Sequence, residues 1–109
     1  MNQDNKLVLF ESQDGEVSLD VGFDGETVWL TQNQMSVLFE TTKQNISLHI
    51  KNCFDEGEVE EISVVKESLT TARDVKKYKT KIFNLDVIIS VGYRVKSNRG
   101  IEFRRWATD

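Results

Sequence analysis

The spacing of apolar residues switches between strand-like and helix-like along this chain, and this constrains the fold more than any single motif. Residues 17–21 alternate apolar and polar positions, the period of a half-buried strand. Between residues 35 and 54 the apolar positions recur three and four residues apart, as on one helix face. Strand-forming residues return over 62–83, and helical spacing returns over 84–106. The pattern predicts an α+β fold, and 109 residues suffice for one domain with its own core.

Three short strands are predicted ahead of the first helix. Residues 7–10 are apolar and rich in strand formers, and residues 27–30 have a similar character. Two Asp-Gly pairs, at 14–15 and 24–25, supply turns on either side of the alternating segment. We therefore expect a small antiparallel sheet or hairpin at the amino terminus.

Two helices joined by a short turn are predicted over residues 31–56. Thr31 and Thr42 are residue types favoured at the N-cap of a helix. Gly57 is suited to end the second helix, because glycine tolerates the backbone conformation found there. The apolar stripe expected to face inwards on the second helix consists of Ile46, Ile50, Cys53 and Phe54. Two short helices with such a connection are typical of a helix-turn-helix.

A β-hairpin is predicted next, over about residues 62–83, with a basic turn at 73–77. A hairpin that follows a helix-turn-helix is a wing. The predicted fold class is therefore α+β, a winged helix-turn-helix with an amino-terminal antiparallel β-sheet or hairpin.

Two closing helices over about 84–109 complete the predicted domain, with Asn84 and Ser97 as their N-caps. The apolar residues that we expect in the core from these helices and from the sheet are Trp29, Leu85, Ile88, Ile89, Val95, Ile101, Phe103 and Trp106. The last helix carries no C-cap signal, so we expect residues 1–109 to be one domain from the amino-terminal part of a longer protein.

Charge is distributed unevenly in this acidic chain, whose net charge is −4. Residues 1–42 hold one base and eight acids, whereas residues 73–105 hold ten bases and three acids. Such segregation allows one surface to attract a polyanion while the whole molecule remains acidic. Two solvated faces of different charge are the alternative.

The outward face of the second predicted helix carries residue types that read DNA. Its candidate DNA-binding residues are Thr41, Lys43, Gln44, Asn45, Leu48, Lys51 and Asn52. Glutamine and asparagine amides can bond adenine edges, and Leu48 can contact a thymine methyl group. Lys51, Thr41 and the helix N-terminus would serve phosphates. The alternative is the solvated polar face of a core helix.

Two further basic groups are candidates for phosphate contact. The wing group consists of Arg73, Lys76, Lys77, Lys79 and Lys81. Lysines on an edge strand also prevent aggregation, which is the alternative role for this group. The second group of additional phosphate contacts consists of Arg94, Lys96 and Arg99. For that group a structural role is equally open, with Arg94 and Arg105 paired to the acidic amino-terminal sheet.

Other function classes find little support in the sequence. One histidine, His49, and one cysteine, Cys53, do not make a zinc site, and a lone cysteine forms no internal disulfide. Nucleotide-binding and nucleophile motifs are absent from the sequence. No stretch reaches the roughly 18 apolar residues of a membrane span, and no signal peptide is present. We expect a cytoplasmic protein without membrane contact, catalytic residues, cofactor or metal.

The carboxy-terminal third resembles a known family. The run 83–100, with its specific core Gly-Tyr-Arg-Val-x-Ser-x-Arg-Gly at 92–100, is similar to the signature of the RhuM virulence-protein family. The likeness continues to Thr108, and segments 26–32 and 44–47 also resemble that family. The wing tip departs from it, because Asp74-Val75 stands where Asp-Gly is expected and a β-branched residue disfavours positive φ.

The resemblance implies a bacterial protein of pathogenicity islands or mobile elements, described as DNA-binding or regulatory, with members that continue beyond this chain's end. We therefore expect the DNA-binding domain of a transcriptional regulator, with double-stranded DNA as its partner and a homodimer as one possible state. The alternative is a protein–protein interaction module of a larger virulence or mobile-element protein.

Overall fold

The computed structural model of this chain describes residues 6–57, 65–71 and 77–108, with side chains described for 6–57 and 81–108. Predictions that concern residues 58–64 and 72–76, including the wing tip, lie outside these ranges.

The described residues form five strands and four helices in an α+β arrangement, as predicted. The strands are β1 (Lys6–Glu11), β2 (Ser18–Phe23), β3 (Val28–Thr31), β4 (Val65–Thr71) and β5 (Lys77–Asn84). The helices are α1 (Gln32–Leu38), α2 (Lys43–Asp55), α3 (Leu85–Val95) and α4 (Asn98–Thr108). The strands form one sheet in the order β1-β2-β3-β5-β4, in which every neighbouring pair is antiparallel. The expected antiparallel strands at the amino terminus are therefore confirmed.

Alternate residues of the sheet supply one side of the core. Phe10 lies opposite Leu19 between β1 and β2, and Leu30 lies opposite Phe83 between β3 and β5. These four side chains and Val21 are buried, because the helices cover this face of the sheet.

Helix α1 begins at the predicted cap. The Thr31 hydroxyl accepts a hydrogen bond from the Gln34 amide at 3.1 Å, and the Gln34 side-chain oxygen accepts one from the Thr31 amide at 2.9 Å. This is a capping box. The Gln34 side chain also donates to the Asp20 carbonyl at 2.7 Å, which ties α1 to β2.

Helix α2 likewise has the predicted start, stripe and end. The Thr42 hydroxyl accepts from the Asn45 amide at 3.0 Å. Ile46, Ile50 and Cys53 are buried, whereas Phe54 is half-buried. Gly57 follows with a φ of +74°, as expected for the residue after a helix.

Helices α3 and α4 are also capped where predicted. The Asn84 side chain accepts from the Val87 amide, and the Ser97 hydroxyl accepts from the Arg99 amide. Lys96, with a φ of +56°, ends α3. The described residues contain no helix that is long and apolar enough to cross a membrane.

Ile101 and Trp29 were wrongly predicted as core residues, and Trp106 packs at the edge of the core. Ile101 is 50% exposed, because α4 directs Phe103 into the core and residue 101 lies about 200° away around the helix. Trp29 is half-buried, since its indole N–H donates to Asp24 at 2.8 Å near the surface. Trp106 is also half-buried, with one ring edge against Phe10.

On α3 the buried stripe is shifted by one position from the predicted one. Val87, Ile88 and Val91 are buried, whereas Ile89 is half-buried. Leu85 and Val95 pack against the edge of the core. The predicted face was misjudged because this helix is apolar on more than one side, so its periodicity alone does not define its rotation.

Candidate nucleic-acid interface

Helices α1 and α2 form a compact pair joined by residues 39–42. Met35 and Leu38 of α1 are buried with Ile46 of α2 in the same core. The chain reverses at Glu40, whose φ is +55°, and the Thr41 amide then donates to the Ser36 carbonyl at 3.0 Å. The pair is fixed to the sheet through β3, which leads directly into α1.

The outward face of α2 presents a continuous row of exposed side chains. Gln44, Ser47, Leu48 and Lys51 are all exposed, at helical spacings of three and four. Leu48 is 53% exposed, so its side chain is accessible to a molecule that contacts this face. Three of these residues were predicted from the sequence. Ser47 was missed, although it lies next to Lys51 on the helical wheel, at the edge of the same row.

Other predicted residues lie on the flank of this helix or just before it. Thr41, Asn45 and Asn52 are half-buried. The Asn45 side-chain amide donates to the Thr41 hydroxyl at 2.9 Å, so one of its donors is engaged within the protein. Lys43 is exposed, and its carbonyl accepts from the Gln32 side chain at 3.0 Å. Gln32 thus joins the two helices, and no sequence pattern pointed to it.

Lys51 is engaged in an exposed ion pair within α2. Its ammonium donates to the Asp55 carboxylate at 2.7 Å. The hydrogen bond that Lys51 donates to Asp55, and then the negative charge of Asp55, raise the pKa of Lys51 above its ordinary value. Because exposed ion pairs of this kind are weak, Lys51 can exchange Asp55 for another anion.

A cleft of about 310 Å³ separates α2 from β5. It is lined by Gln32, Ser47, Ile50, Lys51, Lys81 and Phe83, with Phe54 and Asp55 at its end. Lys81, which is exposed, belongs to the predicted wing, and Lys51 belongs to the second helix. The fold therefore brings one member of each predicted group to the same cleft.

The remaining wing residues are described in part. Lys77 and Lys79 lie in β5, which pairs with β4 over residues 65–71 and with β3 on its other edge. Arg73 and Lys76 lie outside the described residues.

Two arginines of the second basic group form ion pairs with carboxylates. Arg94 pairs with Glu56, just beyond α2, at 2.6 Å. Arg99, only 12% exposed, pairs with Asp14 at 2.8 Å and approaches Glu16 and Glu40 at 3.7 Å. These contacts favour the structural alternative for both arginines.

The partner of Arg94 differs from the one considered in the structural alternative. Arg94 lies beside the end of α2, and Arg99 occupies the place beside the β1–β2 turn. Lys96, Arg104 and Arg105 are exposed.

Comparison with known protein families gives a match in the carboxy-terminal part of the chain. Residues 63–109 match the Virulence protein RhuM family, which confirms the resemblance seen in the run 83–100. The matched range contains β4, β5, α3 and α4. The similar segments at 26–32 and 44–47 lie outside it. Searches of curated proteins and of solved structures found no match.

Proposed function

We propose that this chain, a RhuM-family sequence over residues 63–109, is the double-stranded DNA-binding domain of a bacterial transcription regulator. In this proposal the fold is a winged helix-turn-helix. Helix α2 enters the major groove, and the β4–β5 hairpin lies along the phosphates as the wing.

The exposed row on α2 is the observation that carries the proposal. The Gln44 amide can both donate to and accept from one adenine edge, and the Leu48 side chain can pack on a thymine methyl group. The first-turn amides of Lys43 and Gln44 lie at the positive end of the helix dipole, where helix geometry provides no intrahelical acceptor. A phosphate placed there would set the position of the helix in the groove.

The connectivity of the sheet supports the second contact. Strand β3 leads into the helix pair, and β5 returns beside β3 with β4 on its outer edge. The hairpin therefore lies next to α2, across the cleft that Lys51 and Lys81 share. Two cations on opposite elements can hold one DNA backbone between the helix and the wing.

The proposal is tested first by selecting preferred sites from a random duplex pool with the 109-residue chain. Binding of the selected and a scrambled duplex is then measured by fluorescence anisotropy. Gln44→Ala is expected to lower the preference for the selected duplex, with a loss of about 1–3 kcal/mol on that duplex alone. Lys81→Ala is expected to weaken both duplexes about equally, because phosphate contacts carry no base identity.

Lys6→Ala is the matched control, since Lys6 is an exposed lysine on the opposite end of the sheet. This substitution removes the same charge and should change the affinity for neither duplex. A folded protein whose affinities for both duplexes are unaffected by Gln44→Ala and Lys81→Ala would refute this interface. Folded protein without any DNA binding at low salt would favour the protein–protein interaction module instead.

A further inference from the structure

A second exposed surface lies between α3 and α4, on residues that the proposed DNA contact does not use. A groove of about 620 Å³ opens there, with Ile89 and Tyr93 on one wall and Ile101 on the other. Tyr93 is 85% exposed and Ile101 is 50% exposed. Large apolar side chains grouped at one groove commonly mark an interaction site.

Two glycines allow α3 and α4 to cross closely at the floor of the groove. Gly92 and Gly100 face each other where the helices cross, and a Cβ on Gly92 would lie 3.4 Å from the Gly100 Cα. The groove floor there consists of backbone, so the space above it can receive a side chain from outside.

The groove is bordered by positive charge. Lys96 and Arg104 are among its lining residues, and both are exposed. Arg105 shares the exposed face of α4 with Ile101. The described lining residues include no acid. Glu102 is directed to the other side of α4, where its carboxylate accepts from the Gln13 amide at 2.6 Å.

The groove faces away from the helix pair. Val87 and Val91 of α3 are buried in the core to which α2 contributes, and Ile89, Tyr93 and Lys96 lie on the opposite side of α3 at 100° per residue. A molecule bound in the groove would therefore leave the outward face of α2 free.

We propose that this groove docks an acidic peptide segment of a partner protein, with an apolar anchor side chain held between Tyr93 and Ile101. Carboxylates on either side of the anchor pair with Lys96 and Arg104. An exposed tyrosine beside an arginine is the composition found at energetic centres of interfaces. Desolvated apolar contact supplies affinity, and the cations select acidic partners.

Charge argues against a second copy as the occupant, and the apolar walls argue against DNA. A second copy placed by a two-fold axis through the groove would bring Lys96 and Arg104 against their own equivalents. DNA would meet an apolar wall that offers its base edges little hydrogen bonding.

The test is a selection of random 12-residue peptides displayed on phage against the whole 109-residue chain. Enriched sequences are then made as fluorescein-labelled peptides, and their affinities are measured by anisotropy at low and high salt. We expect enriched peptides with net negative charge and at least one leucine, phenylalanine or tryptophan, and binding that weakens as salt rises.

Three variants then locate the site. The double variant Tyr93→Ser/Ile101→Ser should weaken peptide binding by roughly tenfold or more. Lys96→Gln/Arg104→Gln should weaken it and flatten its salt dependence. Val37→Ser is the control, because Val37 is a β-branched helical residue that is 47% exposed and lies outside the groove. Each variant should keep the thermal unfolding midpoint of the wild type. Tyr93→Ser/Ile101→Ser, which removes no charge, should also keep its affinity for DNA.

Three outcomes would overturn the proposal. In one, the enriched peptides are not acidic, or neither groove variant alters their binding. In another, sedimentation shows a concentration-dependent dimer that Tyr93→Ser/Ile101→Ser dissociates, so that the occupant is a second copy. In the last, duplex DNA displaces the peptides from the groove, which would make this surface part of the nucleic-acid interface.

Discussion

Arg99 lies with its guanidinium among three carboxylates from two separate turns. Asp14 and Glu16 belong to the turn between β1 and β2, and Glu40 belongs to the turn between α1 and α2. One side chain of α4 thus joins the sheet, the helix pair and the closing helices. The sequence predicted a turn at Asp14, but Arg99 is 85 positions away, and only the folded chain brings the two together.

Asp14 is expected to make stability depend on pH. A hydrogen bond from the Ser12 hydroxyl, one from the Glu16 amide and the charge of Arg99 lower the pKa of Asp14 below 3.8. The folded state therefore favours the ionised carboxylate. This contribution to stability is fully present about one pH unit above the ordinary value of 3.8 and is lost as the pH falls through the lowered pKa. Asp14→Asn should reduce the loss of stability between about pH 5 and pH 3, as measured by urea unfolding.

Glu26→Gln removes an exposed carboxylate outside this cluster and serves as the control. Equal pH dependence in Asp14→Asn and in the wild type would show that the contacts of Asp14 do not contribute to stability.

Asp55 is expected to compete with DNA for Lys51. The two side chains form an exposed ion pair at 2.7 Å beside the cleft between α2 and β5. Asp55→Asn removes a negative charge from the proposed interface and releases the ammonium, so affinity for duplex DNA should rise by about two- to fivefold at low salt. Asp20→Asn, which removes an equivalent charge from β2, should change affinity much less. Unchanged or weaker binding by Asp55→Asn would place DNA elsewhere on the molecule.

At the scale of helices and strands, the sequence was most informative where the determining interactions are local. Thr31, Thr42 and Asn84 cap their helices as predicted, because the capped amide is only three positions away in each case. The rotation of α4 was not predictable in this way. It depends on Phe103 packing with Phe10 of β1, a contact between opposite ends of the chain.

In the candidate site, too, the sequence predicted what local geometry determines and did not predict contacts between distant parts of the chain. Gln44, Leu48 and Lys51 could be assigned to one face because a helix repeats every 3.6 residues. The hydrogen bond from the Asn45 side chain to the Thr41 hydroxyl could not be predicted without the conformation of the turn. That Lys51 and Lys81 line the same cleft could not be predicted without the sheet order, which places β5 beside the helix pair.

The crossing of α3 and α4 is expected to depend on Gly92. A Cβ at this position would lie 3.0 Å from the Phe39 Cζ, and valine would add two methyl groups in the same place. Phe39 is buried and has little room to move. Gly92→Val should therefore lower the free energy of unfolding by about 1–3 kcal/mol, measured by urea denaturation.

Gly100→Ala is the comparison, because its Cβ would meet its nearest neighbours at 3.4 Å. The free energy of unfolding of this variant should stay within about 1 kcal/mol of the wild-type value, because alanine also favours the helix. A Gly92→Val protein as stable as the wild type would mean that the crossing is looser than its geometry indicates.

At the scale of the whole molecule, the arrangement of charge reconciles a net charge of −4 with a polyanionic ligand. Asp14, Glu16 and Glu40 are gathered around Arg99 of α4. Lys43, Lys51 and Lys81 lie on or beside that row. The acidic part of the chain thus supports the fold while the proposed interface presents cations.

The most direct test of DNA binding is fluorescence anisotropy of a labelled duplex, titrated with the chain at several salt concentrations. We expect the logarithm of affinity to fall linearly with the logarithm of salt, with a slope of about −3 or steeper. Lys81→Ala should reduce that slope by about 1, because one phosphate contact is lost. Folded protein that fails to bind at low salt, or that binds with no dependence on salt, would contradict the proposed interface.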